Sequence, residues 1–391
     1  VIVAALLGAL LLGAVAAMAA RWGLSTVGLL APLFGPGASP AVAALLFIRN
    51  VAWGAFALVL IADAAALVSE RALGAGLRPL WVVLFGLVGI ALAAAGPRFV
   101  VGKLLKRAGL GLALLVAAVV TLSAYLEFGI PTYLDRPAVG GWPSFWQAVD
   151  VMLTVPLLWL PLVADYARFD ERPARAFSGT FVGTFVATAW LGLLGMVYLP
   201  AVQSGDVAGF VVGLQVGLAA LVILLIFQAD EVFANVHSAG LALKSMAPLN
   251  GPALSVLPGL LVIALALPFG MGQMEGLLLL LASLFVPLFG VLFADRLLGA
   301  NERGAVPSAV AAWAAGFLLY QWIAPADVQW WRDAVDAVFS RALGFPFPLT
   351  DDVSWLGAAL PSLLAGFLVH LLARPLLGRL RSAEAVRVPA V

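Results

Sequence analysis

The chain has 391 residues, 64% of them hydrophobic and only 10% charged, with a formal net charge of +1. Soluble domains carry about 25% charged residues, so a water-solvated globule is excluded, and the lack of a basic patch interleaved with aromatics argues against nucleic acid as a partner. Without cysteine there is no disulfide, thiolate catalyst or zinc–thiolate site, and His237 and His370 are too few and too far apart in sequence for a histidine metal cluster.

Runs of about 20 apolar residues recur from end to end, the length a helix needs to cross the hydrocarbon core. They do not alternate as barrel strands would. The composition therefore specifies an all-α polytopic membrane protein. Eleven spans are expected, near 1–20, 40–68, 79–96, 108–128, 145–166, 177–199, 210–244, 252–269, 274–297, 305–325 and 352–374.

The first span begins at Val1, without methionine and in the middle of an apolar run. It has no basic n-region and leads straight into further spans, so a cleaved signal peptide is not expected. The true N-terminus is expected to lie upstream.

The second span reads FIRNVAWGAFALVLIAD, with Arg49 and Trp53 as i,i+4 neighbours and Asn50 one position over. A charge at that depth is expensive, and Arg49 is expected to snorkel to the cytoplasmic interface. Trp53, beside Gly54, lies too deep for an interfacial anchor and reads as packing or as a stacking platform. Asp63, near the outer end, is expected to be hydrated.

The fifth span reads SFWQAVDVMLTVPLLWLPLVADYARF. Pro156 and Pro161 each remove a backbone donor and clash with the preceding turn, which predicts a kink or unwinding near the middle. Unwound backbone at membrane depth is tolerated where it lines a cavity, and transporters place substrate and ion at such breaks. Trp159, between the prolines, reads either as filler between helices or as a flat π-face for a planar ligand. Asp165 and Arg168 just beyond it, like Asp295 and Arg296 in the ninth span, sit at span ends where capping or ion pairing is the ordinary role.

The seventh span carries FQADEVFANVHS. On a helix Glu231, Asn235 and Ser238 form one polar stripe, with Asp230 and His237 as a second beside it. His237 alone reads as a helix–helix hydrogen bond. Adjacent carboxylates in low dielectric are harder to dismiss, because a buried charge there needs a partner. They suit the coupling of a proton or metal cation to a substrate, while Asn235 supplies a donor and an acceptor for an amide-like edge. The span is longer than a bilayer needs, so tilting, bending or projection is expected.

Fifteen Lys and Arg fall on one side of the spans, among them Arg98, Lys103, Lys106, Arg107 and Arg374, against Arg71, Arg78, Arg136, Arg332 and Arg341 on the other. The positive-inside rule then places the C-terminus in the cytoplasm. The longest external loop, Ala324–Asp351, carries Trp330 and Trp331 and is expected to lie along the membrane interface. The tail after Arg374 is short and basic.

Four motifs in this order, WLPLVADYARF, RAFSGTFVGTFVATAW, DEVFANVHSAGLAL and PLFGVLFADRLL, resemble the nucleobase:cation symporter-1 family. Its members include cytosine and purine permeases and hydantoin, allantoin and hydroxymethylpyrimidine transporters. The likeness extends from Val1 to about Arg303. It implies one transporter domain over 1–391 with a leucine-transporter-like five-plus-five inverted repeat, the first helix missing. Residues 1–304 would hold the core from family helix two to helix ten, and 305–391 two additional C-terminal helices and the tail.

The resemblance also implies roles. Trp53 matches a tryptophan that stacks on the heterocycle, and Ala57 stands where some members have a polar residue. Another aromatic on the broken helix closes the sandwich. Trp159 is the candidate, although Pro156 occupies the position of the hydantoin transporter's aromatic. Asn235 matches a ligand-binding asparagine, and sodium-binding hydroxyls of some members fall at Ala229 and Asp230, where the carboxylate would ligate sodium or carry a proton.

The expected function is import of a planar nitrogen heterocycle by symport with Na+ or H+ through alternating access. Trp53, Trp159, Asn235, Glu231 and Asn50 would bind substrate, and Asp230 and Ala229 would serve the coupling cation. A monomeric protein of the cell membrane is expected, without a cofactor and without enzymatic activity. The rivals are a channel, a carrier of the same superfamily for another substrate, and an intramembrane enzyme using Asp230 and Glu231 as acid and base. The last is weakened because neighbouring helical residues point about 100° apart.

Overall fold

The computed structural model describes residues 1–100, 102, 110–128, 144–198, 217–299, 305–326, 328–349 and 355–387. Lys103, Lys106, Arg107, Arg136, Arg303 and Asp351 lie outside the described residues. Among the described residues there is no strand. The chain divides into two compact units, one of Val1–Leu46, Gly141–Thr188 and Gly276–Val391, the other of Phe47–Gly140 and Ala189–Glu275.

The first unit opens with α1 (Ile2–Trp22), which ends at Gly23 in the left-handed conformation. The short α2 (Thr26–Leu30) follows, with Ser25 as N-cap and a 3-10 turn after it. Asp165 accepts from the backbone N–H of Thr26 at 2.9 Å, so a carboxylate from a distant helix satisfies one of the four orphan donors at this start. The expected capping role of Asp165 is therefore met. Helix α3 (Gly35–Leu73) has 39 residues, about 58 Å at the α-helical rise, and passes from the first unit into the second at Leu46–Phe47.

In the second unit, α4 (Arg78–Ala95) and α5 (Leu110–Phe128) follow. Asp63, expected to be hydrated, is part-exposed and also pairs with Arg78 at 2.6 Å, and Arg78 donates to the carbonyls of Ala266, Leu267 and Phe269. That one side chain therefore ties α3 to the open carbonyl end of another helix.

The break foreseen in the fifth span is present. Helix α6 (Phe145–Leu157) starts with a capping box at Ser144 and Gln147, and α7 (Leu160–Ala167) resumes after a turn at Leu158–Trp159. Pro161 has no N–H to give the carbonyl one turn back, so the α-helical ladder cannot run through. Next come α8 (Pro173–Tyr198), α9 (Gly217–Met246) and α10 (Ala253–Ala266). Residues 210–216, expected in the seventh span, are outside the described residues. Helices α4, α9 and α10 pack on one another. Gly240 is one reason they can approach so closely: a Cβ there would strike the Leu254 carbonyl.

The first unit is completed by α11 (Met271–Leu298), α12 (Ala305–Ile323), α13 (Gln329–Asp336, continuing as a wider turn through Ala342) and α14 (Ala359–Arg387). Helix α14 starts several residues later than the expected 352. The long loop contains a helix of its own, α13, whose Trp331 donates to Gln321 of α12 at 2.8 Å. Asp295 is buried and pairs with Arg374 at 2.6 Å, the ion pairing expected of it.

Eight helices among the described residues are long and apolar enough to cross a membrane, counting Thr26–Leu73 (α2 through α3) and the α6–α7 pair as one each, with α10 and Ala117–Leu126 as shorter apolar segments. The protein is a multi-pass membrane protein.

Candidate functional site

Helix α3 and helix α9 bring five polar and aromatic side chains of the second unit into one network. Arg49 and Trp53 lie one turn apart on α3, and Asn50 stands beside them. Opposite, Glu231 and Asn235 lie one turn apart on α9. Gly54 allows the approach: a Cβ there would sit 3.2 Å from the Cβ of Asn235 and 3.1 Å from Val262.

Arg49 corrects the sequence reading. It does not snorkel: it is 1% exposed, among the largest fully buried side chains of the protein. Its Nη1 donates to Oδ1 of Asn50 at 2.8 Å and to Oδ1 of Asn235 at 3.0 Å. The guanidinium also lies over the Trp53 ring, 5.3 Å from the centroid, within the roughly 6 Å reach of a cation–π contact. Desolvating a guanidinium costs several kcal/mol. Two amide oxygens and an indole face offset part of that cost.

The remaining contacts converge on Glu231. Trp53 donates its indole N–H to Oε1 at 2.9 Å. Asn235 donates through Nδ2 to the same oxygen at 3.3 Å and to the Glu231 backbone carbonyl at 2.9 Å. Asn235 and Asn50 are 0% and 2% exposed, whereas Trp53 and Glu231 are half-buried. Oε2 of Glu231 makes no hydrogen bond among the described residues.

Asp230 and Ala229, on the same helix, are also half-buried. Among the described residues Asp230 forms no hydrogen bond or ion pair, and no group of three metal-ligating side chains occurs. Ser238 is buried, and its hydroxyl makes no hydrogen bond there. His237 stacks near Phe233, with ring centroids 6.2 Å apart.

Trp159 belongs to the first unit. It is the N-cap of α7 and 39% exposed, so the helix break leaves its indole uncovered. Its carbonyl accepts from the N–H groups of Leu162 and Val163, both at 3.0 Å, which starts the second half of the broken helix.

The structure thus gathers Trp53, Asn50, Glu231 and Asn235 in one place, keeps Ala229 and Asp230 on the same helix, and adds Arg49. Arg49 was legible only as an oddity. Its signal was its spacing, one turn from a mid-span tryptophan on the face that carries Asn50.

This all-helical architecture with a proline-broken helix shares the leucine-transporter-like fold of Mhp1. The similar solved structures are of Mhp1. With the inward-facing conformation of Mhp1 the chain shares 18% identity at a TM-score of 0.65, over 98% of this chain and 84% of that one. With Mhp1, a nucleobase-cation-symport-1 family transporter, in a closed conformation with bromovinylhydantoin bound, it shares 20% identity at a TM-score of 0.66, over 97% and 86%. No protein-family model matches the chain, and no curated protein does either. At such identities the likeness establishes the fold.

Proposed function

We propose that the protein is a secondary active transporter that imports a planar nitrogen heterocycle, a nucleobase, hydroxymethylpyrimidine or hydantoin-like ring, by symport with Na+ or H+. The observation that carries this reading is the buried guanidinium network under Trp53. A buried arginine and a carboxylate share one network on helices read as membrane-spanning, and intramembrane ionisable groups mark substrate and ion pathways. Trp53 offers a ring face, and Glu231, Asn235 and Asn50 supply the polar edge. Trp159 is the further aromatic of the substrate set.

Asp230 is the proposed cation-coupling residue, next to Ala229. A half-buried carboxylate without a side-chain partner either binds a proton or draws a metal cation, and both gain from neutralising it. Cation binding then favours the conformation that accepts substrate, which couples the two fluxes. Support for alternating access comes from the fold, since Mhp1 adopts it in inward-facing and closed conformations. The bromovinylhydantoin held by Mhp1 is a cyclic ureide, of the planar N–H-bearing class proposed here. Placement in the cell membrane as a monomer, with residues 1–391 acting as one transporter and the C-terminus in the cytoplasm, completes the proposal.

The test is uptake of radiolabelled cytosine, hypoxanthine, allantoin and hydroxymethylpyrimidine by cells expressing the protein, across imposed pH and Na+ gradients. Saturable uptake of at least one compound, driven by one of the two gradients, is expected. Asp230→Ala is expected to abolish the gradient dependence and Asn235→Ala to abolish uptake. Unchanged uptake in both variants would remove the site from the reading, and counterflow without trans-stimulation would turn the carrier into a pore.

A further inference from the structure

We infer that the site selects rings that present an N–H donor to Glu231, and that Arg49 is the positioning residue that enforces this choice. The inference rests on the transport reading above and narrows its substrate class. Hydrogen-bond capacity decides it. A guanidinium can only donate, so Arg49 holds Oδ1 of Asn235 and Oδ1 of Asn50 toward itself. The amide of Asn235 is thereby fixed with Nδ2 toward α9, where it meets the carbonyl and Oε1 of Glu231. The indole N–H of Trp53 is committed to Oε1 as well.

The Trp53 and Asn235 donors are therefore committed to Glu231, Nη1 of Arg49 is committed to the two amide oxygens, and both amides lie almost wholly buried. What a ligand on Trp53 meets is a half-buried carboxylate whose Oε2 has no partner among the described residues. The other half-buried polar group on this part of α9, Asp230, is also a carboxylate. An ionised carboxylate accepts and never donates. Rings with an amino group or ring N–H at the edge satisfy Glu231, whereas a carbonyl or N-methyl group placed there leaves a carboxylate oxygen facing an acceptor or a methyl group.

Arg49 acts through Asn235. Without the guanidinium, Oδ1 of Asn235 is left buried without that donor, a costly state, so the side chain leaves the rotamer in which Nδ2 meets Oε1, Glu231 loses its place and the preference for donors ends.

The experiment measures binding of hypoxanthine and cytosine, and of their derivatives methylated singly at each N–H, to the purified full chain by isothermal titration calorimetry. In the wild type, at least one methyl derivative of each ring that binds is expected to lose roughly tenfold to a hundredfold in affinity, the worth of a hydrogen bond to a charged group. Arg49→Met is expected to bring that parent-to-methyl ratio close to one, and Arg49→Lys to retain most of it. A general loss of packing would weaken parent and derivative alike and leave the ratio unchanged.

Where a parent ring binds and every methyl derivative binds equally well, the donor inference falls while the transport reading stands. A folded Arg49→Met variant with the wild-type ratio overturns the positioning role. If Arg49→Met does not fold, Glu231→Gln takes its place: an amide both donates and accepts, so the ratio must drop, and an unchanged ratio overturns the inference. Failure of both rings to bind removes the heterocycle reading and this inference with it.

Discussion

Arg49 and Trp53 stand one helical turn apart, and the chemistry of the second unit is organised around that turn. The indole N–H donates to Glu231, the proposed transport adds a stacking role for its face, and substitution separates the two. Trp53→Phe keeps a ring but deletes the donor to Oε1. Because that bond fixes Glu231 with or without substrate, its loss is expected to weaken substrate affinity by less than the roughly 1.5–3 kcal/mol of a hydrogen bond to a charged group, while Trp53→Ala abolishes measurable uptake. Concentration-dependent uptake of the labelled substrate checks both, and equal affinities for Trp53→Phe and wild type would show that the N–H is idle. Trp53, Asn235 and Glu231 were legible from sequence because each departs from the apolar code of its span. Arg49 was misread because depth in a span gives the cost of a charge but not the position of its partner. Asn235 lies 186 residues away along the chain.

The broken helix is an element the sequence could announce. Pro156 and Pro161 act on their own backbone within one turn, so local chemistry suffices, and the break falls between them at Leu158–Trp159. Its other anchor was invisible. Asp150 on α6 accepts three backbone N–H groups, from Ala358 at 2.8 Å, Ala359 at 2.9 Å and Leu360 at 2.7 Å. A carboxylate from one helix therefore caps the N-terminus of α14. Gly357 is part of the device, since any Cβ there would collide with the Asp150 side chain. Asp150→Ala leaves those donors without an acceptor and is expected to destabilise the protein by about 2 kcal/mol, near the upper end for a lost N-cap. Asp150→Asn, with one oxygen retained, is expected to lose less. Thermal unfolding in detergent, followed by tryptophan fluorescence, checks the order, and a wild-type midpoint for Asp150→Ala would show that the cap carries no stability.

At the scale of the whole molecule, composition and charge placement lead to a membrane orientation. The excess of Lys and Arg on one set of loops predicts a cytoplasmic C-terminus. A C-terminal green fluorescent protein fusion is expected to fluoresce and a C-terminal alkaline phosphatase fusion to be inactive. The reverse pattern would invert the inward direction proposed for transport.

Hydrophobicity and backbone chemistry act over a turn or a span, so the sequence by itself determined that the protein is a bundle of membrane helices, that one helix breaks and that one carries an unusual acidic patch. Only the tertiary structure decided which distant side chains meet: a guanidinium over an indole, an amide that accepts from that guanidinium, and a carboxylate that accepts from the indole and the amide. A buried ionisable group is stable only beside partners, and partners are a property of packing rather than of neighbours along the chain.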